Sequence, residues 1–353
     1  MRERLSIVHV DTGRSFRGGQ QALLTLARAL GKRGHSQQIA APRDAALAER
    51  ACREGFGVLP LGGVLDLRRA LSGIQIVHAH SGRAQSLALL AGWRLPVVRV
   101  ATRHVAFTPR HPRIHALKYG AGCDGVIAVS EPVRRILLEA GVSERKIAVI
   151  PNAVENPEGE ITVEERAAAR RRYGIGQADF AVGQLGAFTQ EKGQDVAMQA
   201  LASLRHRMPG LRVILAGEGA PALPPDARLL LPGFVANRRE FFAALDLFIM
   251  PSRSEGWGLA AAEALAHGVP VIASDTGGLT SIVEPGLTGW LVAPGDARAL
   301  AGAIEHAASD PRRLNEMSAK ARERSARFSA QKTAELVEAF YVSLLQRERS
   351  WFW

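Results

Sequence analysis

Residues 249–270 read IMPSRSEGWGLAAAEALAHGVP. The stretch starts on an apolar β-type run, Leu247–Pro251, crosses a short polar loop with Gly256 and Gly258, and enters an Ala-rich helical pattern near Gly258. A second apolar run, Val271–Ser274, follows at once. Strand, loop, helix and strand in this order point to a parallel sheet with helices on its faces. The strand-to-helix junction aims free backbone N–H groups and the positive end of the helix at one spot, which suits a diphosphate. Gly256 and Gly258 leave room for close approach of phosphate oxygens. Glu255 sits at the mouth of the loop, and Glu263 eight residues later in the second helical turn. Carboxylates there would repel phosphate but accept hydrogen bonds from sugar hydroxyls on either side of it. The plainer reading makes Glu255 a helix N-terminal acid and Glu263 a solvated helix residue. The apolar neighbours Ala260, Ala261, Ala262, Ala264 and Leu265 weigh against that for Glu263.

The same alternation runs outward in both directions. Leu5–Val10 reads as a strand, followed by a helix over Gly19–Gly34 with Leu23, Leu26, Ala27 and Leu30 at 3–4 spacing. Ser36–Ala41, Phe56–Leu61, Ile74–His78, Val97–Ala101, Gly125–Val129 and Ile147–Ile150 read as further strands. Pro151 breaks the pattern, and residues 152–162, with Asn152, Asn156, Pro157 and Gly159, read as a linker before the charged run Glu164–Arg172. Alternation resumes at Phe180–Leu185 and continues through Val213–Ala216, Leu247–Pro251, Val271–Ser274 and Trp290–Val292. The expectation is an α/β chain of two doubly wound, Rossmann-like domains, 1–158 and 159–330, with a C-terminal helical segment 331–353 packing back toward the first. The aromatic end, Trp351-Phe352-Trp353, suits either a packed helix cap or a lipid interface.

A chain of 353 residues suits two domains of ordinary size. Its 47% hydrophobic and 22% charged residues are normal for a globular protein and argue against disorder. Cys52 and Cys123 form no CxxC pair, so a disulfide framework or structural zinc site is not expected and a reducing compartment fits. The six-residue apolar stretch behind Arg2 and Arg4 is too short for a signal segment. No uncharged apolar run reaches the ~18–20 residues of a membrane span. Net charge is +11, and its distribution matters more than its size. Residues 1–158 hold 23 Lys or Arg against 12 Asp or Glu, whereas the remainder balances at 22 and 22. The basic half is expected to meet something acidic, such as a membrane surface, a phosphorylated glycolipid or nucleic acid, unless the excess reflects general Arg usage.

The spacing of the two glutamates inside PSRSEGWGLAAAEALAHGVPVIASDTGG resembles that of the retaining glycosyltransferases of family 4, which have the GT-B fold. RGGQQALLTLARAL, VHAH at 77–80, ATRH at 101–104, VIAVSEPVRRIL at 126–137 and VIPNAV at 149–154 extend the likeness in order. EKG at 191–193, LAGEG at 215–219 and FFAALDLFIMPS at 241–252 complete it. The resemblance implies two domains facing a central cleft, an acceptor site in the first and a nucleotide-sugar site in the second. It gives Lys192 contact with the donor diphosphate, Glu255 the transferred sugar's hydroxyls and Glu263 the ribose. Gly256, Gly258 and Leu259 fall on the same donor-binding junction, and Glu218 lies near the nucleotide. Gly18 and Gly19 match the first domain's donor-facing loop, and His104 a histidine near the reaction centre. Lys192, Glu255 and His104 are thus the candidate catalytic residues. The expected reaction is metal-free sugar transfer, without cofactor, from a UDP-sugar by default, with GDP and ADP open. The expected acceptor is an acidic glycolipid or lipopolysaccharide at the inner face of a plasma membrane, the protein being cytoplasmic and peripheral.

Two positions depart from the family pattern. Ala187 stands where an Arg usually precedes the lysine, so one diphosphate contact is missing, for which Arg14, Arg17 or Arg103 are candidate substitutes. Ala153 replaces a more usual Gly. The chain contains no D-x-D pair of the kind that holds a divalent cation on a nucleotide sugar. A lysine and a helix N-terminus can take over that electrostatic task. His78 and His80 share one face of a strand but lack nearby Cys, Asp or Glu, and read as structural. Gly217-Glu218-Gly219 lacks the full dinucleotide-binding spacing. Rival readings stay open: an epimerase or sugar-phosphate synthase on the same fold, an inactive nucleotide-sugar-binding protein favoured by Ala187, or a nucleic-acid binder on charge alone. No recognised module or aromatic platform supports the last.

Overall fold

The computed structural model describes residues 4–107, 112–219 and 226–349. The Trp351-Phe352-Trp353 end lies outside them, as do residues 220–225. The chain divides into two compact units, Met1–Ala153 with Ala330–Trp353, and Val154–Ser329. The crossing points fall together: Val154 N–H donates to Phe328 O at 2.9 Å, and Val154 and Ser329 form an isolated parallel bridge. The boundary is thus at 153/154, inside the start of the segment read as a linker.

The first unit is built on seven parallel strands, β1 (Ser6–Val10), β2 (Ser36–Ala41), β3 (Gly57–Pro60), β4 (Ile76–Ala79), β5 (Val98–Arg103), β6 (Gly125–Ala128) and β7 (Ile147–Val149). Their order is β3-β2-β1-β4-β5-β6-β7. The first helix, Gly18–Lys32, buries Leu23, Leu26, Ala27 and Leu30, the stripe its spacing announced. Against it lies the C-terminal helix Ala330–Arg349, whose Ala334, Val337, Tyr341 and Leu344 join Ile7, Val98, Val100 and Ile127 in one core. Burying side chains of this kind stabilises by roughly 1.5–3 kcal/mol each. Gly125 permits the close approach, since a Cβ there would lie 2.5 Å from Leu344 Cδ1. Arg33 adds ion pairs to Glu335 and Glu338.

The second unit has six parallel strands, β8 (Phe180–Leu185), β9 (Leu211–Ala216), β10 (Leu229–Gly233), β11 (Leu247–Met250), β12 (Val271–Ser274) and β13 (Gly289–Val292). Their order is β10-β9-β8-β11-β12-β13. The sequence reading missed β10, a short edge strand whose run of three leucines is cut off by Pro232 and whose residues are half-buried or exposed. The charged run after the linker is a helix, Val163–Arg172. Thr162 Oγ1 accepts from Glu165 N–H and Glu165 Oε2 from Thr162 N–H, a reciprocal cap. Arg166 and Arg170 anchor that helix on Asp246 at 2.5 and 3.1 Å.

In each sheet the chain reverses its direction of growth beside the first strand, between β1 and β4 and between β8 and β11. Loops leaving the carboxyl ends of strands at such a point diverge and leave a crevice where ligands bind in open α/β sheets. The loops that carry most of the predicted residues of the second unit leave β8 and β11, and Glu218 lies on the one leaving β9.

Candidate active site

Leaving β8, the chain passes Gly186 and Ala187, makes a short 3₁₀ turn over Gln190–Lys192, and starts the helix Gln194–Ser203. Two amides hold this loop: Gln184 Nε2 donates to Lys192 O at 2.7 Å and Gln194 Nε2 to Ala187 O at 3.0 Å. Leaving β11, the next loop ties onto the first, since Arg253 N–H donates to Glu191 O at 2.8 Å. Its guanidinium reaches Asp195 at 2.6 Å. The two loops present their charged side chains to each other. Lys192 Nζ lies 2.5 Å from Glu255 Oε2, both largely shielded from solvent.

The loop after β12 supports Glu255 from behind. Gly278 N–H donates to Glu255 O at 3.2 Å. Gly277 has φ of 53°, and a Cβ there would lie 1.8 Å from that carbonyl, so only glycine fits. Trp257 is buried and meets Phe328 edge-on at 5.4 Å, which anchors the middle of the loop. Gly258 is the N-cap of the helix Leu259–Ala266, with φ of 105° and no side-chain cap. The first backbone N–H groups of this helix are therefore left to other partners, at its positive end.

Glu263 projects from the second turn of that helix. Burial pushes its carboxyl up to about 7, Arg238 pulling the other way and Glu155 adding to the rise. Most of the charge balance around Glu263 thus comes from residues far away in sequence. Glu218, at the exit of β9, is exposed, and its carbonyl accepts from Phe188 N–H at 2.9 Å.

In the first unit, the equivalent exits carry Asp11 and the Gly18–Gly19 start of the first helix after β1, His80 after β4 and His104 after β5. Gly19 abuts His104: a Cβ on Gly19 would lie 3.9 Å from His104 Cδ2. The ring nitrogens of His104 are shut off from water, and burial pulls its pKa down to about 4, against a smaller opposing pull from Asn152. His104 is a neutral ring at pH 7.

His78 and His80 are joined by His9, a partner the sequence reading did not find because it stands on β1. His9 Nδ1 lies 3.0 Å from His80 Nε2, and the three rings offer atoms within 4.8 Å of one another, a spacing compatible with a metal ion. Five of their six ring nitrogens instead meet protein groups of other kinds or each other: besides the His9–His80 contact, His9 Nε2 lies 3.0 Å from Gln37, His78 Nε2 2.7 Å from Thr102 and His78 Nδ1 2.6 Å from Tyr341. Burial keeps all three rings neutral, with His9 down to about 4. The arrangement is a hydrogen-bonded polar core.

The structure brings Lys192 and Glu255 together and puts Gly256, Gly258, Leu259 and Glu263 on one strand-to-helix junction. It corrects the expectation for Arg103. That side chain is buried, donates to Phe107 O at 2.6 Å and lies over the rings of Phe107 and Tyr119, so it is committed within its own unit. Arg14 is exposed and pairs with Asp44 at 3.1 Å, and Arg17 is exposed at the start of the first helix. Sequence reasoning missed Gln184, Gly277, Trp257, Arg238 and Glu155. Of these, Trp257 alone was adjacent to the motif residues, between Gly256 and Gly258.

Comparison with known proteins places these features in a wider set. Residues 165–324 match the family model "Glycosyl transferases group 1" and residues 16–156 the model "Glycosyltransferase Family 4". A GDP-mannose-dependent alpha-(1-6)-phosphatidylinositol monomannoside mannosyltransferase of Mycobacterium tuberculosis is 30% identical over 351 residues, covering 87% of this chain and 90% of that one. A D-inositol 3-phosphate glycosyltransferase of Nocardia farcinica is 31% identical over 305 residues, covering 76% of this chain and 66% of that relative, slightly less than two thirds. Among solved structures, Anabaena Alr3699/HepE in complex with UDP and glucose superposes with a TM-score of 0.86 at 21% identity, covering 96% of this chain and 100% of that one.

Proposed function

The chain belongs to the group 1, family 4 glycosyltransferases of GT-B fold, and on that premise we propose that it transfers a sugar from a nucleoside diphosphate sugar to a hydroxyl of an acidic glycolipid or lipopolysaccharide-type acceptor, with retention of anomeric configuration. The observation that carries the reading is the Lys192–Glu255 pair, 2.5 Å apart at the loops leaving β8 and β11, beside the uncapped helix start at Gly258.

In this reading the bond between the anomeric carbon and the diphosphate oxygen breaks through an oxocarbenium-like state. Lys192 and the N–H groups after Gly258 take up the charge of the leaving diphosphate, so no metal or cofactor is required. Lysine suits the task because its point charge imposes no single geometry. Glu255 accepts hydrogen bonds from the sugar's hydroxyls, and Glu263 from the ribose. Gly256 and Leu259 flank the diphosphate, and Glu218 lies by the nucleotide. The acceptor oxygen attacks from the face that the diphosphate leaves, and its proton passes to a diphosphate oxygen. No protein nucleophile is assigned. His104, with the Gly18–Gly19 helix start, belongs to the first unit, which selects the acceptor. A neutral His104 offers a hydrogen bond rather than a charge.

The named relatives act on phosphorylated inositols, and the excess of 23 Lys or Arg over 12 acidic residues lies in residues 1–158. Both favour an acidic acceptor at the inner face of a membrane, with the protein peripheral and cytoplasmic. Among the described residues no helix is long and apolar enough to cross a membrane. UDP is the first nucleotide to test, with GDP and ADP next. The test is a thermal-shift panel of UDP, GDP, ADP, CMP and dTDP on the wild type and on Glu263→Ala, followed by transfer assayed by NMR of the anomeric proton. One diphosphate should stabilise the wild type by about 2.7 kcal/mol at 100 times its dissociation constant, and lose this effect in the variant. If no nucleotide shifts the wild type, the reading fails. Binding without transfer to any acceptor or water would favour the non-catalytic binding protein that Ala187 raises.

A further inference from the structure

We propose that the segments 64–70, 82–94 and 114–121 of the first unit form a surface that lies on an anionic lipid bilayer. The inference rests on the reading that the acceptor is presented at a membrane, and it names the face that docks.

Exposed large hydrophobic side chains concentrate here. Leu65, Leu90, Trp93, Ile114 and Leu117 are each more than half exposed. The three segments are neighbours. The helix Val64–Ala70 packs on the helix Gly82–Ala91. Arg68 Nη1 clips them together by donating to Ala91 O and Trp93 O at 2.9 and 2.8 Å. Lys118 Nζ donates to Gly82 O at 2.9 Å, which fastens the third segment to the start of the second helix.

The middle helix shows how the surface is built. Ala84, Gln85, Ala88 and Ala91 face the core. Arg83 and Leu90, seven residues apart on the other side, are exposed, while Leu87 between them packs partly on the core, and the turn past the helix end at Ala91 adds Trp93 and Arg94. Arg94 holds φ of 57°, an uncommon conformation for a side-chain-bearing residue, and the turn it makes leaves Trp93 and Arg94 exposed together. On the third segment, Ile114, Leu117 and Ala121 present an exposed edge at helical spacing, while Tyr119 is buried.

The charge selects the occupant. Residues 64–70, 82–94 and 114–121 contain five Lys or Arg and a single acidic residue, Asp66, which lies 3.8 Å from Arg69. A protein partner would need a comparably acidic and apolar face. An anionic bilayer supplies both in one plane: headgroup charge for the arginines, and an interfacial layer for Trp93 and the aliphatic side chains.

The test is flotation of the full chain with vesicles of phosphatidylcholine alone and with 30% phosphatidylglycerol, run beside the nucleotide thermal-shift assay. The wild type is expected to float with the anionic vesicles and not the neutral ones, and less so as salt rises. Arg83→Glu and Arg94→Glu should each weaken binding by about fivefold or more. Trp93→Glu with Leu117→Glu should weaken it at least tenfold while leaving the nucleotide-induced shift unchanged, which shows that the variant is folded. Wild type that binds neither vesicle, or variants that bind as well as wild type, overturn the proposal. So does a concentration-dependent dimer that is lost in the Trp93 and Leu117 variant without vesicle binding, which would make the face a contact between copies. A missing nucleotide shift in the wild type would instead sink the sugar-transfer reading, with vesicle binding judged on its own result.

Discussion

Tyr341 Oη lies 2.6 Å from His78 Nδ1, joining residues 263 positions apart. Burial pushes the phenol's pKa up and that of His78 down, so both are neutral. Tyr341 therefore donates, His78 Nδ1 accepts, and the Nε2 proton goes to Thr102 Oγ1 at 2.7 Å. This contact lies inside the first unit, although the helix bearing Tyr341 follows the second unit in the chain.

Replacing Tyr341 by Phe should therefore destabilise the first unit. It leaves a buried imidazole nitrogen unpaired, a loss of about 1–3 kcal/mol. Urea unfolding should shift to lower concentration, with nucleotide binding unaffected. An unchanged midpoint would mean that the contact contributes nothing net.

The Lys192–Glu255 pair makes two variants informative. Lys192→Met should weaken nucleoside diphosphate binding about tenfold and slow transfer by on the order of 10²-fold or more, since it removes charge neutralisation of the leaving group. Glu255→Gln releases Lys192 and should leave diphosphate affinity within a few-fold, while transfer falls. Calorimetry with the diphosphate separates them. Equal loss of affinity in both variants would refute the division of labour.

Glu263 ties binding to stability through pH. Its folded-state pKa, about 7, lies above the unfolded value near 4.5, so the folded protein holds the proton more tightly. Stability should fall as pH rises from about 4.5 to 7 and level off above 7. Glu263→Gln should raise stability at pH 8, by on the order of 2 kcal/mol, and much less at pH 5. The same variant should lose nucleotide affinity, because a carboxylate accepts from both ribose hydroxyls and an amide from one. In the wild type, affinity should drop as pH falls through 7. A variant no more stable than wild type at pH 8 would show that the carboxyl is better solvated than its surroundings indicate.

His104 should make no contribution to pH dependence near neutrality. With its pKa down to about 4, the ring stays neutral from pH 6 to 8. The NMR signal of its C2 proton should titrate with a midpoint below 5. A midpoint near 6.5 would contradict the burial argument, and any pH limb near 7 could no longer be assigned to Glu263 alone.

Ala187→Arg should tighten diphosphate binding by about five- to tenfold, as for one charge-assisted hydrogen bond. The position lies in the loop that carries Lys192, and its carbonyl is already held by Gln194, so the backbone is set. Unchanged affinity would show that the missing cation is not what limits binding.

Much of the fold was legible because local chemistry repeats. Near-continuous apolar runs at Phe180–Leu185 and Val271–Ser274 are strands, as both faces of a parallel sheet are buried. The half-exposed β10, three leucines ended by Pro232 at the edge of its sheet, escaped detection. The stripe of Leu23, Leu26, Ala27 and Leu30 showed a buried helical face, but not the helix it meets. Lys192, Glu255 and Glu263 stood in a readable order along the chain. Their electrostatics were not readable, because Arg238 and Glu155 reach Glu263 only through the fold.

By itself, then, the sequence determined where most of the strands lie, the family to which the chain belongs, and the glycine-rich junction after β11. Those follow from residue type and spacing over short stretches, where backbone conformation and side-chain periodicity decide. Only the tertiary structure decided that Tyr341 completes the core of the first unit, that His9 joins His78 and His80, that Arg103 is committed to Phe107, and that Lys192 meets Glu255. Each of these depends on which strands lie side by side and which loops leave the same end of a sheet. Protonation and pairing follow from such neighbours, and residues distant in sequence become neighbours only when the chain has folded.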